Sequence, residues 1–143
     1  GRGYVLKGED KSNTRGVNKV EIAFAEDGKV TLFKTYATNG VQANTFIYKS
    51  RPWSNNKWVL DRVVTETIQG FNRMVADTDV TFVHMNGFGF PEKIRVSTKS
   101  GLNNGKELDS KTEAKLEIQF SKYEVNSGKA AKLFLKLNPK KKQ

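Results

Sequence analysis

Two strand-like runs in the second half of the chain restrict its fold more than any other feature. Residues 90–98 read Phe90-Pro91-Glu92-Lys93-Ile94-Arg95-Val96-Ser97-Thr98, and residues 114–126 read Ala114-Lys115-Leu116-Glu117-Ile118-Gln119-Phe120-Ser121-Lys122-Tyr123-Glu124-Val125-Asn126. Apolar and polar residues alternate in both, so each run presents one apolar and one wet face when laid into a sheet. Antiparallel pairing, with one face covered and one solvated, suits that pattern.

The rest of the chain reads as strand, turn, strand. Residues 19–25 alternate, with Val20, Ile22 and Phe24 on one face. Glu26-Asp27-Gly28 follows as a turn whose glycine can take positive φ. Residues 29–38 put Val30 and Leu32 on one side and Thr31, Phe33 and Thr35 on the other. Asn39-Gly40 signals a hairpin into a strand over 41–50 that ends with Ile47 and Tyr48, and Arg51-Pro52-Trp53-Ser54-Asn55-Asn56 breaks it. Residues 57–75 carry two competing signals. Leu60, Val64, Ile68, Phe71 and Val75 recur at helical spacing, whereas Val59, Val63, Val64, Thr65, Thr67 and Ile68 are β-branched and suit a strand. Gly70 would interrupt a helix, so strand is the favoured reading and helix the alternative. Residues 78–85 form a further strand with Val80 and Phe82 inward, and Asn86-Gly87-Phe88-Gly89 turns the chain. Residues 100–106 are a polar loop, and Ser127-Gly128 leads to a last strand over 130–137.

About nine short strands joined by glycine turns, with no repeat and no linker, predict one β-rich domain over residues 1–143. The fold class is mainly β: a single curved antiparallel sheet forming an open, half-closed barrel. A curled sheet with one apolar face must close on itself, be filled by another segment, or hold something apolar. The opening Gly1-Arg2-Gly3 is that of a trimmed or processed chain, so a missing N-terminal segment is one expectation for the filler.

Composition narrows the chemistry. Nine Phe and a 10% aromatic share are too rich for a disordered chain. No cysteine is present, which excludes disulfides, thiolate metal sites and cysteine nucleophiles. No apolar run reaches the roughly 20 residues of a membrane-spanning helix. Lys and Arg total 25 against 15 Asp and Glu, a net charge of +10. Such a balance suits an anionic partner, nucleic acid or a membrane surface, or simply a lysine-rich surface that keeps sheet edges apart. The C-terminal Lys129, Lys132, Lys136 and Lys140 to Lys142 lie in a segment without acids, fit for phosphate contacts or for a solvated terminus. The remaining basic residues are dispersed, which speaks against a dedicated nucleic-acid groove.

Few residues suggest catalysis. His84, the only histidine, falls in register with Val80 and Phe82, as a sheet residue would. Asp77 and Asp79 have calcium-like spacing but no supporting loop, and a solvated turn is the simpler reading. Trp53, Trp58 and Phe90 could stack on bases or sugars, or serve as core and rim. No paired acid–base or metal set is recognisable, so no enzyme, no metal and no cofactor are expected.

Residues 78–126 resemble the bacterial lipoprotein carrier superfamily, the LolA/LolB-like proteins with the RseB and LppX type domains. The resemblance lies in Pro91-Glu92-Lys93-Ile94-Arg95-Val96, the polar loop after it, the long run from Leu116 to Asn126, and Asp79-Val80-Thr81-Phe82 before Asn86-Gly87. It implies a half-closed barrel around an apolar cavity, a non-enzymatic carrier or sensor of lipid or acylated protein, and a periplasmic place in a bacterial cell envelope. The helices that plug the barrel in that family have no counterpart in this sequence, which again points to a missing segment. The expected apolar lining is Phe24, Leu32, Ile47, Leu60, Val80, Phe82, Ile94, Val96, Leu116, Ile118 and Phe120, with cationic residues at the rim for anionic head groups. An ordinary hydrophobic core would use the same residues. The alternative function is a basic β-rich module that binds a polyanion, or a structural, partner-docking domain.

Overall fold

The computed structural model describes residues 3–12, 14, 16–104, 108, 112–123, 128, 132 and 133. Eight strands run up and down in chain order: β1 (Tyr4–Glu9), β2 (Val17–Phe24), β3 (Val30–Ala37), β4 (Gly40–Ser50), β5 (Trp58–Gln69), β6 (Asn72–Met85), β7 (Phe88–Leu102) and β8 (Thr112–Gln119). Each pairs antiparallel with the next, and β1 and β8 are the two edges of one open sheet. Between β4 and β5 lies a single turn of 3-10 helix, Pro52–Ser54.

Local chemistry sets the turns. Gly28 takes φ 83°, and its N–H donates to the Ala25 carbonyl at 3.0 Å, closing β2 onto β3. Asn86 and Gly87 both take positive φ, 51° and 83°, so a two-residue turn of the mirror-image kind joins β6 to β7. Gly40 works differently. It is the first residue of β4, paired with Ala37, and a Cβ there would collide with the Ile68 carbonyl oxygen of β5.

The stretch over 57–75 is resolved as strand: its β-branched residues build β5, and Gly70 at φ 56° starts the turn into β6. Two features differ from the sequence reading. First, β6 begins at Asn72 rather than 78, and β1 is a strand that the contiguous Tyr4-Val5-Leu6 did not announce by alternation. Second, the long run over 114–126 leaves the sheet after Gln119. The Phe120 N–H still donates to the Glu92 carbonyl at 2.9 Å, but the next residue on β7 is Pro91, which has no N–H to continue the ladder. Lys122 then takes φ 59°, and Tyr123 folds back so that its hydroxyl donates to the Pro91 carbonyl. Residues 124–126 lie outside the described ones. Of the stretch expected as a strand over 130–137, only Lys132 and Leu133 are described, and both are helical. The described sheet thus has eight strands where about nine were expected.

Four register shifts interrupt the sheet among the described residues: one, at Val17/Lys19, lies at the end away from the β2–β3 turn, and the other three lie at the opposite end, each in a hairpin whose turn is at that end. Those three are the bulges at Ala23/Phe24, at Ile47/Tyr48 and at Thr81/Phe82. A bulge bends its strand and increases the local right-handed twist, so this end of the sheet is re-aimed relative to the other.

Candidate apolar face and its capped end

The registers divide the sheet into two unlike faces. On one, opposite neighbours run Leu6–Ile22–Phe33, Phe46–Val63–Thr78–Val96–Leu116 and Val80–Ile94–Ile118. On the other they run Lys7–Glu21–Lys34, Arg62–Asp79–Arg95–Glu117 and Val75–Lys99–Glu113.

The charged face neutralises much of its own charge. Glu21 takes Lys19 Nζ at 2.9 Å, Lys7 Nζ at 3.6 Å and the Tyr36 hydroxyl at 2.9 Å, which together hold its carboxyl down at about 2. Arg73 Nε donates to Glu66 at 2.6 Å, and Glu117 accepts Lys93 and Arg95, each at 3.0 Å. Both Asp77 oxygens accept from Arg62; the pair pushes Asp77 below the carboxylate range and Arg62 up. Asp77 and Asp79 therefore lie not in a solvated turn, as the sequence suggested, but within β6 on the charged face, Asp77 as the ion-pair partner of Arg62 and Asp79 opposite Arg62 and Arg95. Among the described residues no cluster of His, Asp and Glu is placed to hold a metal ion.

The apolar face is built from both ends differently. At the bulged end, Trp53 leans from the 3-10 turn across to β6 and β7. Its ring lies 6.0 Å from that of His84 at an interplanar angle of 9°, and 5.6 Å from Phe82. It also lies over Gly89, where any Cβ would overlap the indole. The turn that presents Trp53 is fixed by two nearly buried polar residues. Ser54 Oγ accepts from the Arg51 N–H at 3.1 Å and donates within reach of the Arg51 and Lys57 carbonyls. Asp61, the extra residue of the β5 bulge, pairs with Arg51 and with Lys49 Nζ at 2.8 Å. At the opposite end the same face carries Gln42, Thr67, Gln69, Asn72, Ser100 and Thr112, with Met74 and Leu102 among them. A concavity of about 570 Å³ opens there.

No hydrophobic residue among those described is fully buried; Leu6 and Leu116 on the edge strands are 61% and 56% exposed, and Phe71 in the β5–β6 turn is 84% exposed. Of the residues expected to line a cavity, the registers bring Phe24, Leu60, Val80, Phe82, Ile94, Val96, Leu116 and Ile118 to the apolar face. Phe120 lies just past β8, outside the paired register, with its N–H on the Glu92 carbonyl. Leu32 and Ile47 lie on the charged face, opposite Thr45 and Arg62. Phe33, Phe46 and Val63 join the apolar face in their place. Those three were missed because alternation assigns residues to two faces without saying which faces of successive strands coincide. His84 lies in register with Val80 and Phe82 on the apolar face. Trp58 lies under Lys29 Nζ at 4.1 Å from its ring, and Phe90 stacks on Tyr123 at 4.7 Å.

No family model, no curated protein and no solved structure matches this chain.

Proposed function

We propose that the apolar face binds acyl chains, of free lipid or of a lipid-modified protein, and that the protein is a non-enzymatic carrier or sensor in a bacterial cell envelope. One observation carries this reading: a face whose rows near the Trp53 end are mainly apolar stands without a covering layer among the described residues, on a sheet whose other face is laced with ion pairs. An exposed apolar face bordered by polar residues is what a binding surface needs. Each methylene laid on it contributes about 0.8 kcal/mol, enough for a single acyl chain to bind reversibly. The bulges that re-aim one end of the sheet suit a half-closed barrel of the LolA/LolB-like kind. The resemblance of 91–96 and 116–126 to that superfamily supports the same reading, and with it the periplasm.

Native mass spectrometry of protein purified from its natural host, with extraction of bound lipid, tests the reading. A co-purifying fatty acid, phospholipid or acylated peptide is the expected result. A clean apo mass that does not shift with added lipid would overturn it. The second reading, a polyanion-binding module, is favoured by the net charge of +10. It requires affinity that falls steeply with salt, whereas acyl-chain binding survives salt.

A further inference from the structure

The apolar face changes character along its length, and the change has a chemical direction. From the Trp53 end it runs through Val80 and Ile94, then Thr78 and Val96, then Thr65 and Thr98, to Thr67 and Ser100. Aromatic and aliphatic side chains give way to hydroxyls and amides. The concavity of about 570 Å³ lies at this second end, lined by Thr67, Gln69, Asn72, Ser100 and Thr112 around Met74. The charged residue at its wall, Arg73, has its guanidinium tied to Glu66 Oε1 at 2.6 Å on the opposite face. No described strand residue brings a carboxylate, lysine or free guanidinium to the hydroxyl-lined part of this face. At the far, aromatic end the cation above Trp58 is Lys29, which is itself paired with Asp27.

A chain laid along this face puts its tail under Trp53 and its head among the hydroxyls. From this polarity, and resting on the acyl-chain reading above, we infer that the ligand is an amphiphile with an uncharged, hydroxyl-bearing head group. Hydroxyl and carboxamide side chains both donate and accept, which matches a polyol or sugar group for group. Beyond Arg73, whose charge is already paired with Glu66, they offer a phosphate hydrogen-bond donors but no further counter-charge, so desolvating an anionic head there is compensated only in part. Among the described residues, the one cation lining this end is Arg73, and its partner is Glu66.

Three amphiphiles that share a twelve-carbon tail separate head from tail: dodecyl maltoside, dodecyl phosphocholine and dodecyl phosphate. Each is titrated below its critical micelle concentration into the full chain and followed by native mass spectrometry and calorimetry at low and high salt. The maltoside is expected to bind about tenfold tighter than the phosphate, the equivalent of about one or two net hydrogen bonds. The double variant Thr67→Val, Ser100→Ala is expected to erase that preference while leaving the phosphate affinity unchanged. Equal binding of all three, or tighter binding of the phosphate, would overturn the head-group inference and leave the acyl-chain reading standing. Preference unchanged in the double variant would also overturn it. Binding of none of the three would sink the acyl-chain reading itself.

Discussion

Replacing Gly89 by alanine probes the capped end of the apolar face. Any Cβ at Gly89 falls inside the Trp53 indole, whose six-membered ring supplies all three nearest atoms. A ring held by stacking on His84 and contact with Phe82 cannot give way as a flexible chain end would. Overpacking of this kind costs about 1–3 kcal/mol, and we expect Gly89→Ala to cost about 2. Trp53→Ala removes the cap outright; for a half-exposed indole with two aromatic partners we expect about 2 kcal/mol, below the figure for a fully buried tryptophan. The informative quantity is the coupling. Once Trp53 is gone, the clash is gone, and alanine in an extended strand is better than glycine by about 0.5–1 kcal/mol. Gly89→Ala should therefore destabilise the native chain and stabilise the Trp53→Ala chain, a reversal of sign. Urea unfolding followed by far-ultraviolet circular dichroism measures all four corners of the cycle. If Gly89→Ala costs the same in both backgrounds, Trp53 does not sit on Gly89 and the cap is wrong.

Three further outcomes follow from the same geometry. Asp61→Asn strips the anion from Arg51 and Lys49; because Lys49 is largely in solvent, the expected cost is about 2 kcal/mol, under that of a fully buried pair, read as a fall in the urea midpoint. Glu21 has its carboxyl lowered from an ordinary 4.5 to about 2 by Lys19 and Tyr36, so its contribution is complete above pH 4.5 and is lost as pH falls toward 2. Stability measured against pH should accordingly show a flatter acid limb in Glu21→Gln than in the native chain, and an unchanged limb would remove Glu21 from that role. Gly87→Ala places a Cβ at φ 83° in the β6–β7 turn and should lower the unfolding midpoint by the equivalent of about 1 kcal/mol, with Gly87→Asn milder because asparagine tolerates positive φ.

How much of this was legible beforehand depends on what each residue needs in order to be placed. Alternation along 19–25, 29–38 and 90–98 is a local property, and it located β2, β3 and much of β7. The β-branched residues from Val59 to Ile68 outweighed the helical spacing of Leu60, Val64 and Ile68 because the helical pattern had to cross Gly70, where the chain in fact turns. Which face a residue joins is not local. Leu32 and Phe33 are equally apolar neighbours, and only the register with Asn44 and Thr45 sends Phe33 to the apolar face. Trp53 is further still from legibility: it comes from a turn that the sequence marks as a break, and its partners lie some thirty residues on. The hydroxyl-lined end was invisible for a related reason. Threonines in β-branched runs read as strand formers, and only pairing Thr67 with Met74, and Met74 with Ser100, assembles them into one patch.

The two faces also make different demands on stability, and the difference supplies a test of which face binds. Exposed ion pairs such as those of Glu117 contribute little each and are screened by salt. The apolar face holds the larger reserve, since none of its described residues is fully removed from water. A molecule that lies on that face when the sheet is folded, and on nothing in the unfolded chain, stabilises the fold by mass action, about 2.7 kcal/mol at a hundredfold excess over Kd. Binding and melting temperature are then one measurement. Along a series of alkyl maltosides of growing tail length, the melting temperature at fixed concentration should climb with each added methylene and hold in high salt, because the gain is apolar area. A polyanion bound to the charged face would raise it too, but independently of any tail, and the rise would vanish as salt is added. A melting temperature that ignores tail length would leave the apolar face without a ligand of this kind, however well the sheet itself is formed.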